Sequence, residues 1–85
     1  MLTLELMTKK ECSLCDDAKV ILARVLKDFP ARLKFTDIEL DETLMERYRE
    51  KIPVLLIEGK ESFVYKVHEV TLRRKLELTL KEAAG

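Results

Sequence analysis

The stretch KKECSLCDD, Lys9 to Asp17, contains both cysteines of the chain. Two residues separate Cys12 from Cys15, and thiols at that spacing suit three different roles. They can exchange with a disulfide, the first attacking and the second resolving. They can supply two ligands of a metal site, which for zinc still wants two more. They can also be two small hydrophobes packed in a core. What decides among these roles is the position of each sulfur relative to the surrounding elements.

The elements follow from changes of period. LTLELM alternates, with Leu2, Leu4 and Leu6 on one side and Thr3 and Glu5 on the other, which predicts a strand over 2–7. From Ser13 to Phe29 the apolar residues Cys15, Ala18, Leu22, Val25 and Phe29 recur at helical spacing, with Ile21 and Leu26 widening the stripe. Asp16 and Asp17 near its start and Arg24 and Lys27 near its end complement the helix dipole, and Pro30 cannot continue it. RLKFTDIEL alternates again and predicts a second strand over 33–39, parallel to the first. Asp41 or Thr43 is placed to cap a short helix carrying Leu44, Met45 and Tyr48. Val54–Ile57 is uninterrupted apolar sequence, the mark of a strand buried on both faces. EGKE, with Gly59, reads as a hairpin turn, and SFVYKV as the returning strand. Leu72, Leu76 and Leu80 then form the stripe of a last helix, from Glu69 to about Ala83. The expected order is β-α-β-α-β-β-α: an α/β domain with a four-stranded mixed sheet flanked by helices.

On this map Cys12 falls at the junction of the first strand and the first helix. Cys15 lies one turn on, in register with Ala18, Leu22 and Val25. One sulfur should be exposed at the helix N-terminus and the other buried behind it. Unpaired N–H groups and the partial positive charge of a helix N-terminus favour a thiolate over a thiol. Cys12 is therefore expected to be the nucleophile. Lys9 and Lys10 add to that field, while Glu11, Asp16 and Asp17 oppose it. Three residues of separation on a helix let Cys15 reach Cys12 and resolve a mixed disulfide.

Composition narrows the partners. The 85 residues make one domain, residues 1–85, and 47% of them are hydrophobic, enough for a core without disulfide staples. Sixteen basic residues balance 16 acidic ones, which argues against nucleic acid or an anionic membrane as a general partner. No apolar run is long enough to cross a bilayer. MLTLELMTKK lacks the basic start and long apolar middle of a leader, so a cytoplasmic location is expected. In a reducing compartment a close cysteine pair is more often catalytic or metal-binding than structural.

The whole pattern resembles the thioredoxin-fold superfamily and, in its shortness and strand-first start, glutaredoxins. The resemblance covers nearly the full length and rests on CSLC after the first strand and IPV opening the third. It implies a dithiol oxidoreductase with Cys12 as nucleophile and Cys15 as resolving thiol. It also implies a cis bond before Pro53, facing the cysteines. The backbone of Ile52 would receive an extended substrate as an added strand. Lys10, Ser13 and Leu14 complete the implied substrate surface. Glutaredoxins usually have Pro-Tyr between the cysteines, and here the pair is Ser13-Leu14. They usually have Thr-Val before the proline, and here the residues are Lys51-Ile52. They carry a Gly-Gly pair and then an aspartate after the last strand, where this chain reads VYKVHEVTLRR.

The resulting expectation is a monomer that reduces protein or glutathione-mixed disulfides. It needs no bound cofactor, has glutathione as a candidate co-substrate, and has no metal site. The competing expectation from another class is a metal or iron–sulfur cluster carrier using the same two thiols. Tyr48 and Tyr65 read as packing residues with wet hydroxyls, and His68 as a surface or capping residue.

Overall fold

The computed structural model describes the backbone of residues 2–84 and the side chains of residues 2–82. Its elements are β1 (Leu2–Thr8), α1 (Ser13–Val25), β2 (Ala31–Asp37), a 3-10 turn (Ile38–Leu40), α2 (Glu42–Tyr48), β3 (Val54–Ile57), β4 (Lys60–Val64) and α3 (Glu69–Ala84). The strands form one mixed sheet in the order β2-β1-β3-β4. β1 and β2 run parallel, and the other two neighbouring pairs are antiparallel.

Alternation along the strands sorts the core into two layers. Leu2, Leu4 and Leu6 of β1, with Leu55 and Ile57 of β3 and Phe63 of β4, meet Ala18, Leu22 and Val25 of α1 and Leu72 and Leu76 of α3. Met7, Val54 and Leu56 belong to the opposite set and pack with Ile38, Tyr48, Ile52 and Cys15; Leu44 and Met45 lie against them. β3 is buried at all four positions because both sets claim its residues.

The turns explain how the strands are joined. Asp41 caps α2, its carboxylate accepting from the N–H groups of Thr43 (2.8 Å) and Leu44 (3.2 Å). The β3–β4 hairpin turns on Glu58 (φ 51°) and Gly59 (φ 80°), the two successive left-handed residues of a type I′ turn. The carbonyl of His68 accepts the first bond of α3, from the Leu72 N–H at 2.8 Å.

Several boundaries differ from the sequence expectation. α1 ends at Val25, not Phe29; the chain passes into a turn in which the Asp28 and Phe29 N–H groups both bond to the Val25 carbonyl at 3.0 Å. Phe29 still packs against the larger core from that turn. β2 stops at Asp37 because the Asp37 carboxylate accepts from the Glu39 N–H (2.9 Å) and starts the 3-10 turn, which leaves Leu40 85% exposed. β4 runs 60–64 instead of through Val67, since Tyr65 leaves the strand with φ 70°. Leu80 is exposed, although Leu72 and Leu76 of the same stripe are fully buried. Tyr48 is a core residue as read, whereas Tyr65 is half exposed.

Candidate redox site

The site begins with how β1 ends. Thr8 is the last strand residue, and the chain turns through Lys9–Glu11, with Glu11 in the left-handed conformation (φ 54°). This turn is tied to the neighbouring 3-10 segment, where the Lys10 N–H donates to Glu39 Oε1 at 3.4 Å. The turn delivers Cys12 as the N-cap of α1, with the extended dihedrals φ −122° and ψ 104° that caps require.

A cap residue normally offers an oxygen to the first free amides. Here the acceptor is sulfur: Cys12 Sγ accepts from the Cys15 N–H at 3.2 Å. The Cys12 carbonyl accepts from the Asp16 N–H at 3.1 Å, closing the first helical turn. The sulfur therefore sits at the positive end of a 13-residue helix, against an amide that has no carbonyl partner.

Cys12 and Cys15 are joined as a disulfide, with their Cα atoms 5.2 Å apart. The two sulfurs differ in environment. Cys15 has no exposed surface and belongs to the smaller core, whereas Cys12 is partly exposed and packs at its margin. The helical period sets this difference, because Cys15 is the first residue of the stripe continued by Ala18, Leu22 and Val25.

Ile52 brings the second part of the site. Its side chain is buried in the same core as Cys15, so the segment before β3 lies against the disulfide. The Ile52–Pro53 bond is cis, and Pro53 is fully buried. On either side of Ile52, the Lys51 and Pro53 carbonyls accept from the Tyr65 N–H, at 3.0 and 2.9 Å. The N–H and C=O of Ile52 itself have no hydrogen-bond partner among the described residues.

Of the residues singled out in the sequence, Cys12, Cys15 and Ile52 share one cluster, and Pro53 follows directly. Ser13 and Leu14 are exposed on the first turn of α1, Leu14 by 43%. Lys10 is exposed, and its link to the site is its backbone bond to Glu39. Sequence reasoning missed the place of Tyr65 beside Lys51 and Pro53. No residue type announced it, since a left-handed strand end is normally signalled by glycine. The buried Tyr48 shares the smaller core with Cys15; burial first, then the influence of the Glu61 carboxylate, pushes its phenol up.

Relatives place this arrangement. The family model described as Glutaredoxin-like domain (DUF836) matches residues 3–77. A protein of Dictyostelium discoideum described as "Glutaredoxin-like protein YDR286C homolog" is 33% identical over 81 residues, which cover 88% of this chain and 75% of that one. Protein XcR50 of X. campestris superposes with a TM-score of 0.75 at 28% identity, covering 88% of this chain and 96% of its own. Thioredoxin O2 of Arabidopsis thaliana, in its oxidised state, shares the fold with a TM-score of 0.68 at 17% identity, covering 92% of this chain and 74% of that one. A bonded C-x-x-C pair at the start of α1 in this fold supports a redox role for Cys12 and Cys15. With a family model spanning β1 to α3, the chain belongs to the glutaredoxin-like domain family and has a thioredoxin-like fold.

Proposed function

We propose that the chain is a dithiol thiol–disulfide oxidoreductase that reduces protein or glutathione-mixed disulfides. The observation that carries this reading is the bonded pair itself, partly exposed Cys12 at a helix N-cap and fully buried Cys15 behind it. In the reduced protein the Cys12 thiolate attacks one sulfur of the substrate disulfide. A mixed disulfide forms and the first substrate thiolate leaves. The Cys15 thiolate then attacks Cys12 Sγ, forming the Cys12–Cys15 bond and releasing the second substrate thiolate. Two electrons pass from the dithiol to the substrate, and an external thiol or dithiol restores the reduced pair.

The unpaired N–H and C=O of Ile52 support a role as the edge along which an extended substrate segment lies. Ser13 and Leu14 would flank the attacking sulfur, and Lys10 would add positive charge nearby. Glutathione is proposed as a co-substrate and no bound cofactor is required. The setting is proposed to be a reducing cytoplasm and the working form a monomer, with neither nucleic acid nor membrane as partner.

A redox titration with thiol trapping tests the reading. The protein is equilibrated in graded dithiol/disulfide buffers, free thiols are alkylated, and the intact mass is read. The expected result is one two-electron transition, lost in both Cys12→Ser and Cys15→Ser. With a peptide disulfide, Cys15→Ser should accumulate the mixed disulfide at Cys12, and Cys12→Ser should not turn over. Turnover that survives Cys12→Ser would sink the proposal.

A further inference from the structure

Among the described residues, three that are not glycine hold the left-handed backbone conformation: Glu11 (φ 54°), Glu58 (φ 51°) and Tyr65 (φ 70°). The hairpin turn accounts for Glu58. The other two bracket the redox site, Glu11 immediately before Cys12 and Tyr65 beside Pro53. A bulky side chain is disfavoured in this conformation, where glycine would fit freely. Such strain persists where the surroundings over-determine it, and it gathers at functional sites.

The surroundings of Tyr65 are specific. Its N–H is shared between the carbonyls of Lys51 (3.0 Å) and Pro53 (2.9 Å), which fixes the backbone on both sides of Ile52. Its side chain belongs to neither core cluster and is 51% exposed. The backbone bond to the platform could be made by glycine without strain, so the ring is the part of Tyr65 that the bond does not explain. Tyrosine offers large, amphipathic contact area at low entropic cost. Leu14, on the first turn of α1 between the two cysteines, is a second exposed apolar side chain at the site.

Resting on the exchange reading above, we infer that Tyr65 is a specificity-determining residue. Its ring contacts an apolar side chain of a peptide disulfide laid along Ile52, and so favours protein substrates over small disulfides. The left-handed conformation ends β4 at Val64 and keeps the Tyr65 backbone beside Lys51 and Pro53 with its side chain out of the core.

Three variants separate ring from backbone. Tyr65→Ala removes the ring and keeps the strained conformation, Tyr65→Gly removes both, and Tyr65→Phe keeps the ring. Each is assayed with dithiothreitol as electron donor on two probes. One is a short peptide whose single cysteine, flanked by leucines, is in mixed disulfide with cysteamine. The other is bis(2-hydroxyethyl) disulfide. For the peptide, KM should rise about fivefold in both the Ala and Gly variants and stay near wild type in Phe, the loss of one exposed aromatic contact. The ratio of peptide to small-disulfide kcat/KM should fall by the same factor. Tyr65→Gly should also raise Tm, because the strain is gone, which keeps a folded variant in hand. An unchanged peptide KM in Ala and Gly, or an equal KM rise for the small disulfide, overturns the inference and leaves the exchange reading standing. A wild-type chain that reduces neither probe sinks the exchange reading itself, and the role of Tyr65 with it.

Discussion

The two sulfurs differ in access and in field, and both differences come from one turn of helix. Cys15 is fully buried in line with the apolar stripe, and Cys12 caps the helix, its sulfur accepting from the Cys15 amide. In the reduced protein, iodoacetamide should therefore modify Cys12 well before Cys15, as read by peptide mass mapping after partial alkylation. The helix N-terminus favours the Cys12 thiolate. Its alkylation should accordingly remain appreciable at a pH where a free cysteine in an unfolded peptide has slowed. Equal labelling of the two thiols would contradict the burial assigned to Cys15. The neighbouring charges were legible in the sequence as opposing groups. What the structure adds is that Lys10 meets the carboxylate of Glu39 through its backbone, so the turn before Cys12 is anchored to the 3-10 turn after β2.

Among the elements, the hairpin and the α1–α3 contact carry the testable energetics. Gly59 has φ 80° with nothing within 4 Å of where a Cβ would stand, so the conformation and not crowding demands glycine. Gly59→Ala should cost about 1–2 kcal/mol, read from denaturant unfolding, with the redox transition retained. α1 and α3 are joined by Glu69, which accepts from Arg24 Nε at 2.9 Å and from Arg73 at 3.1 Å, while Arg73 also pairs with Asp28. The Arg24 hydrogen bond first, and Arg73 with it, outweigh desolvation and hold the Glu69 carboxyl below its ordinary value. A carboxyl lowered in the folded state adds stability above its unfolded value, and that stability is lost as pH falls through the folded value. Glu69→Gln should thus lower Tm at neutral pH and match wild type once the pH is below that folded value. Arg24 is 58% exposed and Glu69 and Arg73 are partly exposed, so added salt should shrink the neutral-pH difference. A neutral-pH Tm unaffected by the substitution would show that the pair contributes nothing. At this scale the sequence was legible wherever period and burial agree: β1, β3, the start of α1 and the capped α2. It misled where a local bond intervened. DIEL keeps the strand alternation, but the Asp37 carboxylate captures the Glu39 amide and turns the chain away, leaving Leu40 in solvent. Leu80 keeps the helical stripe, but at that point α3 has passed the buried layer and Leu80 lines an open groove with Leu2 and Ile57. The cysteine pair and Ile52–Pro53 could be picked out because their residue types are chemically unusual at those places. Tyr65 could not, because its role depends on a backbone angle that tyrosine does not signal.

At the scale of the whole molecule, a redox couple demands that the fold survive loss of its own cross-link. The Cys12–Cys15 bond spans a sequence separation of only 3, so it restricts the unfolded chain little. Loop-closure entropy for so short a loop is about 2 kcal/mol, against about 5–15 kcal/mol for a typical small domain. The fold is held instead by the two apolar layers on either side of the sheet. The larger of them, from Leu4 and Leu22 to Leu72 and Leu76, does not include either cysteine. Reduction should therefore leave a cooperatively folded chain whose denaturant midpoint falls only modestly. The check is an unfolding curve with and without dithiothreitol, alongside Leu76→Ala in the oxidised state. That core deletion should cost about 2–5 kcal/mol, more than breaking the disulfide does. If the reverse order is found, with the reduced protein unfolding while oxidised Leu76→Ala remains stable, then the cysteines are a structural staple. A staple of that kind could not cycle in a reducing compartment, because each turnover would unfold the protein that performs it.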